Sequence, residues 1–124
     1  MDDFTSKLYF YQARCFNVVD GDTIDLEIDL GMKLFIRERI RLYGINSSEI
    51  FGVKVGSPEY EAGIKCKSRV SGLILNKSLW INTVKDKQEK YGRYLANVFF
   101  LDNTQYVNLN DLLVIEGLAV KAIY

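Results

Sequence analysis

The stretch Asp20 to Tyr43 reads DGDTIDLEIDLGMKLFIRERIRLY, and its hydrophobic rhythm decides the fold class. From Thr23 to Leu30, Ile24, Leu26, Ile28 and Leu30 face one way while Asp25, Glu27 and Asp29 face the other, the period of a half-buried strand. Gly31-Met32 makes a hairpin. Lys33 to Tyr43 then alternates again, with Ile36, Ile40 and Leu42 opposite Arg37, Arg39 and Arg41. Asp20-Gly21-Asp22 at the head of the stretch is a tight turn by composition. Upstream of it, Leu8 to Val19 is rich in aromatic and β-branched residues and completes a three-stranded meander.

Downstream, Gly44 to Gly56 loses both periodicities and reads as a long loop, a common place for function. Ser57-Pro58-Glu59 opens a helix with a capping serine, a first-turn proline and an acid. Ala62, Cys66, Val70, Leu73 and Ile74 give that helix a buried face to its end near Asn76. Leu79 to Val84 is a fourth strand, Lys85 to Lys90 a charged loop, and Tyr94 to Leu101 a fifth strand turned at Asp102-Asn103. Asn108 or Asn110 caps a short helix that runs to Glu116 and stops at Gly117, and Leu118 to Tyr124 packs back as a short strand. Five strands with a helix after the third is the order of the OB-fold, a Greek-key barrel often used to bind nucleic acids and oligosaccharides. An SH3-like barrel or an unrelated α+β fold shows a similar order. The expected class is thus mainly β with α, in one domain spanning 1–124.

Sixteen basic residues balance sixteen acidic ones, so affinity for nucleic acid has to come from local charge rather than a global positive field. The chain has no histidine, which excludes imidazole bases, nucleophiles and metal ligands. Cys15 and Cys66 sit among apolar neighbours and are expected to be reduced and buried. No apolar run reaches the length of a membrane span, so a soluble, cytoplasmic protein without membrane partners is expected, although a chain trimmed of an export signal would read the same.

Three segments carry the chemistry: Asp20-Gly21-Asp22-Thr23, Arg41 to Glu49 (RLYGINSSE), and Glu89-Lys90-Tyr91-Gly92-Arg93. Taken singly, each is an ordinary turn or an exposed cation. Together they resemble the staphylococcal nuclease family, whose members carry an Asp-Gly-Asp-Thr turn, an arginine followed eight residues on by glutamate, and an Asp-Lys-Tyr-Gly-Arg loop. The resemblance runs from about Ala13 to Ala122. It implies an OB-fold barrel with two helices, here without the family's C-terminal third helix, so that stability is expected from a smaller core or a partner subunit. It also implies a calcium-dependent phosphodiesterase, an endonuclease that hydrolyses DNA or RNA with little sequence specificity and leaves a 3′-phosphate.

By that resemblance, Arg41, Glu49 and Arg93 take the catalytic roles. The residue types suit them, because guanidinium forks hold the equatorial phosphate oxygens and a carboxylate orients or deprotonates the attacking water. Asp22 supplies a carboxylate to calcium, Asn46 an amide oxygen where the family's best-known member has aspartate, and Ser47 its backbone carbonyl, with Asp20 compensating charge from the next layer. Asn46 removes one negative charge, so weaker calcium affinity is expected. Ser48 stands where the family usually has proline and loosens the loop that holds Glu49. Lys90, Tyr91 and Tyr124 are the candidate substrate contacts, Tyr124 being one residue out of register with the family tyrosine. Lys54, Lys85 and Lys87 are candidates for a basic rim.

Two other readings compete with a monomeric or weakly dimeric nuclease. One is a catalytically weak or inactive nucleic-acid-binding module of the same fold, the other a structural barrel that makes contacts through the acidic strand Asp25-Glu27-Asp29. Retention of the arginine, glutamate and arginine set favours the enzyme.

Overall fold

The computed structural model describes residues 4–88 and 92–122. Strands β1 (Phe10–Asp20), β2 (Thr23–Gly31) and β3 (Leu34–Leu42) form the expected meander. A short strand β4 (Ile45–Ser47) and helix α1 (Pro58–Ile74) follow, then β5 (Ser78–Gln88), β6 (Tyr94–Asp102), β7 (Gln105–Asn108), helix α2 (Leu109–Ile115) and β8 (Ala119–Lys121). Strand β1 pairs antiparallel with both β2 and β5, β5 pairs antiparallel with β6, and β3 meets β6 in parallel over Ile40–Leu42. Those pairings close a five-stranded ring, the OB-fold barrel expected from the order of elements. Among the described residues, no helix is long and apolar enough to cross a membrane.

The apolar alternation of β2 and β3 does fill the barrel: Ile24, Leu26, Ile28, Ile40 and Leu42 are buried with Cys15, Ile81, Ala96 and Val98. On the outer face the charges pair across the register, Arg39 with Asp25 and Arg37 with Glu27. These acidic side chains of β2 are therefore engaged within the chain. Leu30 and Ile36, read as core-facing, are instead 42% and 40% exposed. The hairpin runs past the end of the barrel there, because β6 pairs with only the last three residues of β3.

Other boundaries differ for equally local reasons. The helix α1 ends at Ile74, with Ser57 capping it by accepting the Tyr60 N–H, and it buries Gly63 where Ala62 was expected. The loop from Gly44 contains β4, which pairs with β8, and three residues carry too little periodicity to be read. The backbone of β5 continues to Gln88 through the expected charged loop. Beyond Thr83, among the described residues, its one strand partner is β6, and such an arm needs no apolar rhythm. Strand β7 went unread because it forms the outer arm of a hairpin with β6.

Of the two candidate caps, Asn108 is the one used, accepting the Asp111 N–H at 3.1 Å. Asn110 is only 2% exposed and points into the barrel wall. Its amide donates to Tyr43 O and Ala96 O, and its Oδ1 accepts from Val98 N. One side chain thereby fastens α2 to the seam where β3 and β6 meet.

Candidate active site

Three chain ends converge beside that seam. The register sets Thr23 opposite Arg41, and Leu42 N donates to Asp22 O at 2.9 Å, so the β1–β2 turn and the end of β3 lie side by side. The β4–β8 ribbon brings Ser47 across: its N–H donates to Asp22 Oδ2 at 3.1 Å. Arg93, just before β6, donates through Nη1 to Thr23 Oγ1 at 3.1 Å, and that hydroxyl donates onward to Asp22 Oδ1 at 3.0 Å. Arg41 Nη2 lies 3.5 Å from Asp22 Oδ2 and also donates to Ile45 O and Asn46 Oδ1. Arg41 and Arg93, distant in sequence, thus bracket one buried Asp22-Thr23 pair.

The turn holds two acids in unlike environments. Burial raises the Asp22 carboxyl, but the bond with Asp20, the Ser47 N–H, the Arg41 charge and the Thr23 hydroxyl outweigh it and hold it below its usual range. Burial, then the hydrogen bond and charge of Asp22, push Asp20 up to about 6. Two carboxylates pressed together without a full set of counter-charges are a place where a hard cation is welcome. Ser47 reaches Asp22 through its N–H, and the Asn46 amide oxygen accepts from Arg41. Among the described residues, no third carboxylate, cysteine or histidine joins the pair closely enough to complete a metal-binding group. What the turn itself offers is two carboxylates, Asp20 and Asp22, joined by a hydrogen bond from the Asp22 N–H to Asp20 Oδ1 at 3.1 Å.

Of the other residues expected at the site, Glu49 is exposed on the loop after β4, outside the hydrogen-bonded group. Lys54 is exposed. Lys90, Tyr91 and Tyr124 lie outside the described residues, as do the side chains of Lys85 and Lys87.

Reading the sequence missed the packing beneath the site. A Cβ on Gly21 would sit 2.4 Å from Cys66 Sγ and 2.9 Å from Ser47 Cβ. That glycine lies in the expected tight turn and also serves close approach. Cys66 wedges α1 against the Asp20–Asp22 turn, and burial, then the charges of Asp22 and Asp20, push its thiol up to about 11. Both cysteines are buried and free, as expected, and they stay protonated at neutral pH. Thr23, the link between the two arginines, carried no individual signal beyond its place in the motif. A groove of about 350 Å³ beside Asn46 and Ser47 brings in a further cation, Lys65.

The family profile described as staphylococcal nuclease homologue matches residues 39–124, which include Arg41, Asn46, Ser47, Glu49 and Arg93. The chain belongs to the staphylococcal nuclease family. A thermonuclease of Staphylococcus intermedius is 32% identical over 107 residues, covering 86% of this chain and 57% of that protein. An uncharacterized protein of Methanocaldococcus jannaschii is 30% identical over 125 residues, covering 88% of this chain and 58% of the relative. The chain thus spans less than three-fifths of the length of either relative. The matched residues 39–124 hold Arg41 and Arg93, which bracket Asp22 and Thr23.

Proposed function

We propose that this chain is a calcium-dependent endonuclease that hydrolyses phosphodiesters of DNA or RNA with little sequence preference, acting as a monomer or weak homodimer in the cytoplasm. The observation that carries the reading is the convergence of Arg41 and Arg93 on the two ends of the Asp22-Thr23 pair, through contacts of 3.5 and 3.1 Å. Two guanidiniums held that close form a bracket for one tetrahedral anion, and a phosphodiester gains charge on its equatorial oxygens as water attacks. Glu49 orients that water and takes its proton. The phosphorus–oxygen bond opposite the water breaks, and the departing oxygen takes a proton from solvent water.

Asp22, Asn46 and the Ser47 carbonyl would hold calcium, with Asp20 adding charge beside them. When bound, the ion supplies electrostatic stabilisation of the phosphate and a polarised water. Lys90, Tyr91 and Tyr124 complete the substrate contacts in this reading. The grip is on phosphate and reads no base edge, so neither nucleic acid is excluded.

Digestion of single-stranded DNA with millimolar calcium, with and without chelator, tests the proposal. The parent cleaves only with calcium, and Glu49→Gln lowers kcat by about a hundredfold with the fold intact. A folded parent that binds the strand and never cuts it would make this a nucleic-acid-binding barrel instead.

Asn46→Asp tests the cation site separately. Restoring a carboxylate adds one negative charge beside Asp20 and Asp22, and calcium affinity measured by calorimetry should rise by about tenfold. Equal affinity in parent and variant would remove Asn46 from the ligand set.

A further inference from the structure

Helix α1 contains two glycines in its interior, Gly63 and Gly72, although alanine is the better helix former at both. They have opposite surroundings. A Cβ at Gly72 would meet nothing within 4 Å. A Cβ at Gly63 would lie 2.5 Å from Ile50 Cγ2, 2.8 Å from Ser48 O and 3.0 Å from Glu49 O. The last two are backbone atoms, which cannot swing away as the end of a side chain can.

At Gly63 the helix therefore rests directly on the main chain of the segment that carries Glu49. Strand pairing fixes this segment only as far as Ser47, and Ile50 beyond it is buried against the molecule. The Glu49 carboxylate is exposed and lies outside the cluster around Asp22, so its position is inherited from its backbone. We propose that Gly63 is a positioning residue for Glu49, the absent Cβ setting how closely the loop approaches α1. This rests on the reading of Glu49 as the residue that orients the attacking water. A methyl group there would push the loop backbone outward by a few tenths of an ångström, a displacement that matters to a reacting geometry.

The test is a double-mutant cycle on single-stranded DNA cleavage with calcium, accompanied by amide hydrogen exchange at Ser48, Glu49 and Ile50. Gly63→Ala is expected to lower kcat by about tenfold or more while KM stays within about twofold, and Gly72→Ala to change neither. In the Glu49→Gln background the Gly63→Ala loss should vanish, because nothing remains to be misplaced. Exchange at the three amides should quicken by about tenfold in Gly63→Ala and stay unchanged in Gly72→Ala.

An equal loss of kcat in both backgrounds, or unchanged exchange at the loop, overturns the proposal. If the folded parent cleaves nothing, the reading of Glu49 falls, and exchange alone decides whether Gly63 holds the loop. Should Gly63→Ala lose its cooperative melt, Ile50→Ala takes its place in the cycle, because it opens the same contact from the loop side without a clash. The same dependence on Glu49 is then expected, and an unchanged kcat would overturn the proposal.

Discussion

Arg41→Lys should lower kcat on single-stranded DNA by about a thousandfold, the largest catalytic effect expected from a single change here. The charge survives, but the geometry does not. Arg41 faces the Asp22 carboxylate, the Ile45 carbonyl and the Asn46 amide oxygen, with its side chain only 14% exposed. A planar fork can keep part of that set while offering the remaining N–H groups to a phosphate. A lysine ammonium is a compact point charge without the planar fork, so it cannot hold Asp22 and make a bidentate grip on the phosphate at once.

Because a lysine can still pair with Asp22, thermal stability should stay within a few degrees of the parent. That separates a catalytic loss from unfolding. Retention of kcat within about tenfold would show that Arg41 is a structural partner of Asp22 and not a phosphate ligand.

Asn110→Leu is expected to cost about 3 kcal/mol of stability, because one buried side chain bonds three backbone groups, two of them in the interior. The leucine fills a similar volume but strands the Val98 N–H and removes the Asn110 bond to the Tyr43 carbonyl, while the Ala96 carbonyl keeps its bond from Tyr43 N. Buried backbone groups left without partners bear their full desolvation cost. For a domain of this size the midpoint of thermal unfolding should fall by roughly 10 °C. Denaturant melts should show a lower midpoint with an unchanged slope. A loss below about 1 kcal/mol would mean that water or a shifted backbone replaces the amide.

Both predictions depend on contacts that no local pattern announces. The strands of the meander were legible because a half-buried strand imposes a period of two, and Ile24, Leu26, Ile28, Ile40 and Leu42 obey it. The start of α1 was legible because Ser57 and Pro58 are placed by local chemistry at a helix N-terminus. Asn110 was misread as a possible cap, because asparagine at the start of a helix looks alike in sequence whether it turns back on its own N–H groups or reaches a neighbouring strand. Strand β4 was hidden because three residues pair with a strand more than seventy positions away.

The candidate site divides in the same way. Asp20, Asp22, Arg41, Asn46, Ser47, Glu49 and Arg93 could be picked out because the three segments that hold them resemble the motifs of the staphylococcal nuclease family. Their roles toward calcium and phosphate remain the proposal made above. Gly63 and the packing of Cys66 under the turn could not be picked out, since a glycine in a helix and a cysteine on an apolar stripe have no chemistry of their own to mark them.

By itself, then, the sequence determined the barrel order, the alternating core and the residue types available for chemistry, all of which follow from short-range periodicity and side-chain identity. Only the tertiary structure decided that Arg41 and Arg93 share the Asp22-Thr23 pair, that Asn110 locks the β3–β6 seam, and that α1 rests on the backbone beside Glu49. Those are meetings between segments far apart in the chain, fixed by barrel closure and steric fit, and pairwise distances of that kind leave no periodic trace along a single strand of residues.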